Sequence, residues 1–520
     1  MKYATIVIGA GSAGAIIASR LTEDPSRSVL LLEAGPDYPK FDDIPEELRY
    51  AYGVDKEVAG RFWNDGKHNW SYRARASSES ADIAIPRGRV VGGSSAVNAQ
   101  IFLRGAPEDY DDWERRGNRG WGYRELLPHF RRIESDPDFR GDFHGSDGPI
   151  RVRRYSLDEM NPDQSAFLAA CGSAGLPACS DHNDPDSEGA GSLPMNNRDR
   201  VRWSTAIGYI GPARHRINLT IRADTRVHRL VFEDGRATGV VAESGGQLFE
   251  VSASEVIVSA GAYASPQLLM LSGIGPAEHL RSLGVPVIAD LPGVGENLRD
   301  HPQVQLTWKT KPWFREESLS TGIRAGLRYT ADGSKLRNDM FIHPISFAVT
   351  TGSYTAPTAE PDGVGMIVAL YLAAGAGRVR LRSRSPADQP EIDLNYFVEE
   401  FDRRRMREGV ELCLRLAKQP AYRELLDGLL EPSEADLASP DALDRWLLRT
   451  ARTSHHASGT CKMGPESDPL AVVDSECRVH GIGGLRVADA SIMPDCIRAN
   501  TNLTTMAIGE KVAEMVRSEA

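Results

Sequence analysis

The stretch Ala4-Thr5-Ile6-Val7-Ile8-Gly9-Ala10-Gly11-Ser12-Ala13-Gly14 decides the fold. A short apolar run ends at a G-x-G-x-x-G turn, and an amphipathic stretch from Ser12 to Leu21 follows it. The order is strand, tight turn, helix. Gly9 permits the turn, Gly11 lets main-chain N–H groups approach a pyrophosphate, and Gly14 lets the helix pack close to the strand. Ser12 and Ala13 open the helix, whose N-terminal partial positive charge favours phosphate oxygens. A second strand, Ser28 to Leu32, ends at Glu33. A carboxylate at that spacing can accept both hydroxyls of an adenosine ribose. Spacing, flanking strands and acid together predict a dinucleotide cradle rather than the glycine-rich turn of an ordinary βαβ unit.

The 520 residues are 41% hydrophobic and 26% charged, as in a globular enzyme of more than one domain. A formal net charge of −11 argues against nucleic acid or an anionic membrane as partner. Cys171, Cys179, Cys413, Cys461, Cys477 and Cys496 form no CxxC pair, so free thiols in a reducing compartment are expected. Met1-Lys2-Tyr3 runs straight into the first strand, so no signal peptide is expected. No apolar run is long enough to span a bilayer. A cytoplasmic enzyme is expected. A flavoprotein fed by NADH usually carries a second cradle. Gly273-Ile274-Gly275 is followed by Pro276, and Gly293-Val294-Gly295 leads into Glu296-Asn297-Leu298. Neither is a second cradle, so one dinucleotide is expected and another molecule supplies the electrons.

Longer motifs follow. Gly88-Arg89-Val90-Val91-Gly92-Gly93-Ser94-Ser95-Ala96-Val97-Asn98 resembles the first signature of the glucose–methanol–choline (GMC) oxidoreductases. Gly261-Ala262-Tyr263-Ala264-Ser265-Pro266-Gln267-Leu268-Leu269-Met270-Leu271-Ser272-Gly273-Ile274-Gly275 resembles the second. Gly293 to Pro302, Gly459 to Gly464, Val487 to Ser491 and Asn500-Thr501-Asn502 match further family segments, so the resemblance spans the chain. It implies FAD as cofactor, with Val91, Gly93, Ser94, Asn98, Asp489, Ala490 and Asn502 against it and Val227 meeting the adenine. Physically, Gly92-Gly93-Ser94-Ser95 is a turn rich in backbone and hydroxyls that can press on a flavin without steric cost; it also reads as a plain tight loop. Some relatives tether the flavin through a histidine where this chain has Val97, so noncovalent FAD is expected. Trp70 reads as a ring stacked near the cofactor or as simple packing. The region from Tyr38 to Trp70 is expected to cover the flavin or line its entrance.

Alcohol oxidation needs a base for the hydroxyl proton and an acceptor for the hydride. A neutral imidazole suits the first task. The motif register places the base at His456 rather than His455, which then lines the pocket. The family resemblance implies a second catalytic position, a histidine or asparagine just before a Thr, which here is Asn500, before Thr501. It would bond the substrate oxygen, or cap the helix expected from Thr501 to Val516, or do both. Adjacent histidines diverge and rarely share a metal, so no metal is assigned.

The scattered cofactor motifs imply a discontinuous FAD-binding domain, residues 1–155, 200–302 and 455–520. A substrate-binding domain of 156–199 and 303–454 carries strand-like runs such as Met366–Tyr371 and a helix from Asp402 to Leu416. The expected fold class is α/β (α+β overall): a Rossmann-like FAD-binding domain beside a second sheet-and-helix domain. The loop 356–363 is expected to be mobile. Phe341, His343, Tyr396 and Phe397 are candidates for the pocket wall. The expected reaction is oxidation of a small primary alcohol, with electrons passed to O2, as in the bacterial aryl-alcohol and hydroxymethylfurfural-type oxidases that the C-terminal run resembles. The alternatives are a dehydrogenase using a quinone or another carrier, a flavin-containing hydroxynitrile lyase, and a light-driven decarboxylase. The sequence does not fix the oligomeric state.

Overall fold

In the computed structural model, residues 2–50, 66–314, 322–348 and 363–519 are described. The loop 356–363 lies almost wholly outside them, as does the middle of the 38–70 region. The first sheet has seven strands. Lys2–Ile8 lies between Val29–Leu32 and Gln247–Val258, parallel to both. Leu219–Arg222 extends the sheet beyond Val29–Leu32, again in parallel. On the other side, Arg236–Ser244 and Thr225–Glu233 add antiparallel strands. Their hairpins turn at Asp234-Gly235 and Gly245-Gly246, all four at positive φ, the two-residue geometry that matches strand twist. Leu485–Val487 pairs with the end of Gln247–Val258. Ile6, Val7 and Val29 to Leu32 are buried, as expected of parallel strands covered on both faces.

The helix after the first turn spans Gly14–Leu21. It packs against the terminal helix Thr501–Ser518, two residues longer than the sequence suggests. Gly509 permits the crossing: a Cβ there would lie 2.9 Å from the Ala13 carbonyl oxygen. Glu510, fully buried, locks it by pairing with Arg20 at 2.9 Å and accepting from the Tyr209 hydroxyl at 2.7 Å.

A second seven-stranded sheet runs Leu426–Glu431, Pro302–Thr310, Gly363–Leu370, Met340–Ala348, Ala325–Tyr329 and Gly189–Ser192, with Arg452–Thr453 also on Pro302–Thr310. Every pairing in it is antiparallel. Helices Pro162–Ser173 and Glu400–Ala417 pack on it. Strand alternation sends Ile342 and Val368 into that core, whereas Phe341, His343 and Ala369 face a cavity between the sheets. A smaller sheet joins Tyr72–Arg75 and Asp82–Ile85 to Arg378–Arg380 and Glu391–Asp393. No described helix is long and apolar enough to cross a membrane. All six cysteines are free and buried.

Candidate active site

One cavity of about 340 Å³ collects the cradle and the histidine pair. Gly9, at φ 95°, turns the chain where a side chain would strike the Ser259 carbonyl oxygen 2.4 Å away. Gly14 faces inward, where a Cβ would sit 2.0 Å from the Gly9 carbonyl oxygen; it shapes the turn without lining the cavity. Gly11, Ser12 and Ala13 line it. The second glycine turn presses on the first, since a Cβ on Gly93 would lie 2.6 Å from Gly11 Cα. Gly93, Ser94 and Asn98 line the wall there with Val97. Val91 does not: its side chain belongs to the main core and its N–H bonds the Pro36 carbonyl. The register that carries Gly93 to the cavity turns Val91 away.

At the far end lie Glu33, Val227 and Trp70. Glu33 Oε2 accepts from Ala10 N–H at 3.0 Å and Oε1 from Gly35 N–H at 2.9 Å. Each oxygen keeps a lone pair for a ribose hydroxyl. Burial pushes this carboxyl up to about 7 against those hydrogen bonds. Trp70 stacks on Tyr72, 5.9 Å between centroids, and lies under the guanidinium groups of Arg89 and Arg226.

Asn502, at the start of the terminal helix, accepts from Ser12 Oγ at 2.7 Å, while its buried Nδ2 has no partner among the described residues. That orphan donor, beside a cradle where a Cβ on Gly11 would meet only Gly93 Cα, at 3.9 Å, fits a flavin dinucleotide. Asp489 and Ala490 also line the cavity. The Asp489 carboxylate already accepts from Gly261 N–H at 2.8 Å, the Ser265 hydroxyl at 2.6 Å and Ser491 N–H at 2.8 Å. It therefore buttresses the helix Gly261–Leu271, and any contact to a cofactor falls to its main chain.

At the other end His456 Nε2 stands 2.9 Å from Asn500 Nδ2. Asn500 occupies the N-cap position, yet its side chain makes no capping bond; the amide serves His456 instead. His455 has φ 65°, a left-handed conformation that is rare outside glycine and splays the two imidazoles apart. Both line the cavity, with Phe341, His343 and Tyr371. Burial, followed by the neighbouring His301 and His455, drives His456 well below the ordinary imidazole value of 6.5. Burial also pushes His455 and His343 down to about 4. The imidazoles here are neutral at pH 7.

Tyr396 and Phe397 do not reach the cavity. The Tyr396 hydroxyl is spent on Asp300 Oδ2 at 2.7 Å, and Phe397 is buried in the second core. Sequence reasoning assigned no role to Tyr371, Gln303 or His301. Gln303 lines the cavity. His301 lies behind it, Nδ1 to Nδ1 at 2.9 Å from His456. The segment Gly293 to Pro302 was recognisable as a motif, but its sequence does not say which other segment it meets. That contact is made at Gly459, φ 82°, where a Cβ would lie 2.5 Å from the Asn297 carbonyl oxygen.

Residues 3–303 and 373–509 match models of the GMC oxidoreductase family. The chain is 38% identical to choline dehydrogenase, mitochondrial, of Homo sapiens, covering 100% of this chain and 90% of that one. It is 36% identical to the oxygen-dependent choline dehydrogenase of Rhizobium rhizogenes, covering 99% and 96%. Among solved structures, pyridoxine 4-oxidase from Mesorbium loti superposes with a TM-score of 0.89 at 29% identity, covering 99% of each chain. The matches take in both sheets and both ends of the cavity, and the chain belongs to the GMC oxidoreductase family.

Proposed function

We propose that this FAD-dependent enzyme oxidises a small, uncharged primary alcohol to its aldehyde, with His456 taking the hydroxyl proton and O2 receiving the electrons. The supporting observation is the 2.9 Å contact of His456 Nε2 with Asn500 Nδ2, in the wall of the cavity that the glycine cradle lines. FAD, the cofactor of this family, supplies the hydride acceptor when bound. Gly9, Gly11, Ser12, Ala13 and Gly93 would hold its phosphates, and Glu33 and Val227 its adenosine. Ser94, Asn98, Ala490 and Asn502 would flank the remainder. Val97 has no nucleophile, which supports a noncovalent cofactor.

His456, neutral because of its burial, offers a lone pair to the hydroxyl proton. An amide has no basicity near neutral pH, so Asn500 contributes a donor to the oxygen as negative charge builds there. Phe341 and Tyr371, stacked 4.9 Å apart, wall this end against water. Among the described cavity-lining residues the carboxylates are Glu33 and Asp489. Both are tied to main-chain N–H groups, which supports an uncharged substrate. The oxygen-dependent choline dehydrogenase and the pyridoxine 4-oxidase among the relatives support O2 as acceptor.

The division into FAD-binding (1–155, 200–302, 455–520) and substrate-binding (156–199, 303–454) units belongs to the same proposal. The strand composition of the two large sheets supports it, while the small sheet of residues 72–85 and 378–393 bridges them. Free, buried cysteines support a reducing compartment such as the cytoplasm.

The test is a screen of alcohols against holoenzyme under argon. The expected result is bleaching of the flavin colour by an uncharged alcohol, with colour and peroxide appearing once air is admitted. Bleaching without recovery in air would move the acceptor to a quinone or another carrier. No bleaching by any alcohol would overturn the redox reading in favour of a lyase.

A further inference from the structure

We infer that His301 is a positioning residue that fixes the tautomer of His456, so that Nε2 rather than Nδ1 faces the substrate as the lone-pair nitrogen. The inference rests on His456 being the base, and concerns how that base is prepared. His301 is fully buried and lies outside the cavity wall, so it touches neither substrate nor cofactor.

The geometry allows few proton arrangements. The two Nδ1 atoms are 2.9 Å apart, and with both rings neutral, one of them must carry the proton and the other accept it. If His301 Nδ1 donated, His456 would carry its own proton on Nε2. With the Asn500 amide placed Nδ2 toward the ring, that N–H would meet an amide N–H head-on at 2.9 Å. The main-chain carbonyls of Ile497 and Tyr371 also favour a proton on the His301 ring, although neither meets hydrogen-bond geometry at Nε2. With the proton on His456 Nδ1, both short contacts of the His456 ring are attractive. His301 keeps N–H at Nε2 and accepts at Nδ1, and Asn500 Nδ2 donates to His456 Nε2. Burial lowers His301 to about 4, so it stays neutral and able to accept.

The neighbouring Asp300 makes the pair rigid. Its Oδ1 accepts from the main-chain N–H of His301 at 2.7 Å and of His456 at 2.9 Å. Its Oδ2 accepts from the Tyr396 and Thr453 hydroxyls. Tyr371 stacks on the His301 ring, 4.3 Å between centroids. One carboxylate thus sets the spacing of both histidine backbones, and one ring sets the rotation of the other.

The test combines nitrogen-15 spectra of histidine-labelled holoenzyme with two variants. His456, identified by the resonances lost in His456→Asn, is expected to show the Nδ1–H tautomer. His301→Leu should retain FAD and KM, mix the His456 tautomers, and lower kcat about 100-fold, the scale expected when a catalytic group loses its orientation. His301→Asn, whose side-chain oxygen can accept from Nδ1–H, should recover most of the loss. An Nε2–H signature in the unaltered enzyme overturns the inference whether or not the variants fold. So does a His301→Leu enzyme with unchanged kcat, or a His301→Asn no better than His301→Leu. If His456→Ala itself retained turnover, the reading of His456 as base would fail instead.

Discussion

Ser12 Oγ donates to Asn502 Oδ1 at 2.7 Å, tying the first glycine turn to the start of the last helix. The bond joins two anion-favouring helix termini across one cavity, and it leaves Asn502 Nδ2 as a buried donor without a partner among the described residues. Asn502→Leu removes that donor and the bond together. FAD affinity is expected to fall at least about tenfold, as for loss of a buried polar contact worth roughly 1.4 kcal/mol. Titration of the apoprotein with FAD checks this, and an unchanged Kd would count against the assignment.

Gly93 sits at φ 51° with Gly11 Cα only 2.6 Å from where its Cβ would be. Gly93→Ala must separate two backbones rather than move a flexible side chain. The variant should be isolated with little bound flavin and a lowered Tm. Full flavin occupancy would mean that the two turns can part without cost.

Acid should inactivate this enzyme late. Burial first, and then the neighbouring imidazoles, hold His456 well below 6.5. A base with a depressed value keeps its lone pair as pH falls, so the acid limb of kcat/KM should lie below pH 6.5. An acid limb above that value would show His456 in a far more solvated or anionic setting.

A buried cluster of ions away from the cavity should make stability pH-dependent. His144 lies within hydrogen-bond or ion-pair distance of Asp181, Glu134 and Asp136, while Arg104 and Arg154 pair with the same carboxylates. Burial opposes the charge, but hydrogen bonds to Asp136, Asp181 and Glu134 win and hold His144 up to about 10. A raised value in the folded state means that the proton stabilises the fold. Its contribution is complete below the unfolded value of 6.5 and lost as pH rises through about 10. Tm should therefore decline between those limits, more steeply than in His144→Gln. Parallel curves for the two proteins would contradict the cluster's charge state.

Much of this architecture is legible because it is local. Gly9, Gly11, Gly14 and Glu33 announce a strand, a turn and a carboxylate at the end of the next strand within one unit, and the structure builds the first sheet on that strand. His456 and Asn500 were legible through motif register, which follows the order of segments along the chain. What stayed hidden depends on tertiary packing. His301 meets His456 because Gly459 lets two distant segments close on each other, and nothing in either segment names the other. Tyr396 looks like a pocket residue by composition, but its hydroxyl is drawn off to Asp300. Val91 stands beside cavity residues in sequence and faces the core, because Gly92, at φ 103°, turns the chain between it and Gly93. Of the roles open to Asn500, the side-chain cap is not formed, because its amide is drawn to a histidine forty-four residues upstream.

The central claim is that His456 removes the proton as the alcohol is oxidised. Its most direct measurement is the rate of flavin bleaching by a good alcohol substrate, mixed under argon with His456→Ala enzyme that retains its FAD. Loss of a general base predicts a rate lower by about 10²–10⁴-fold. A rate matching that of the unaltered enzyme would contradict it.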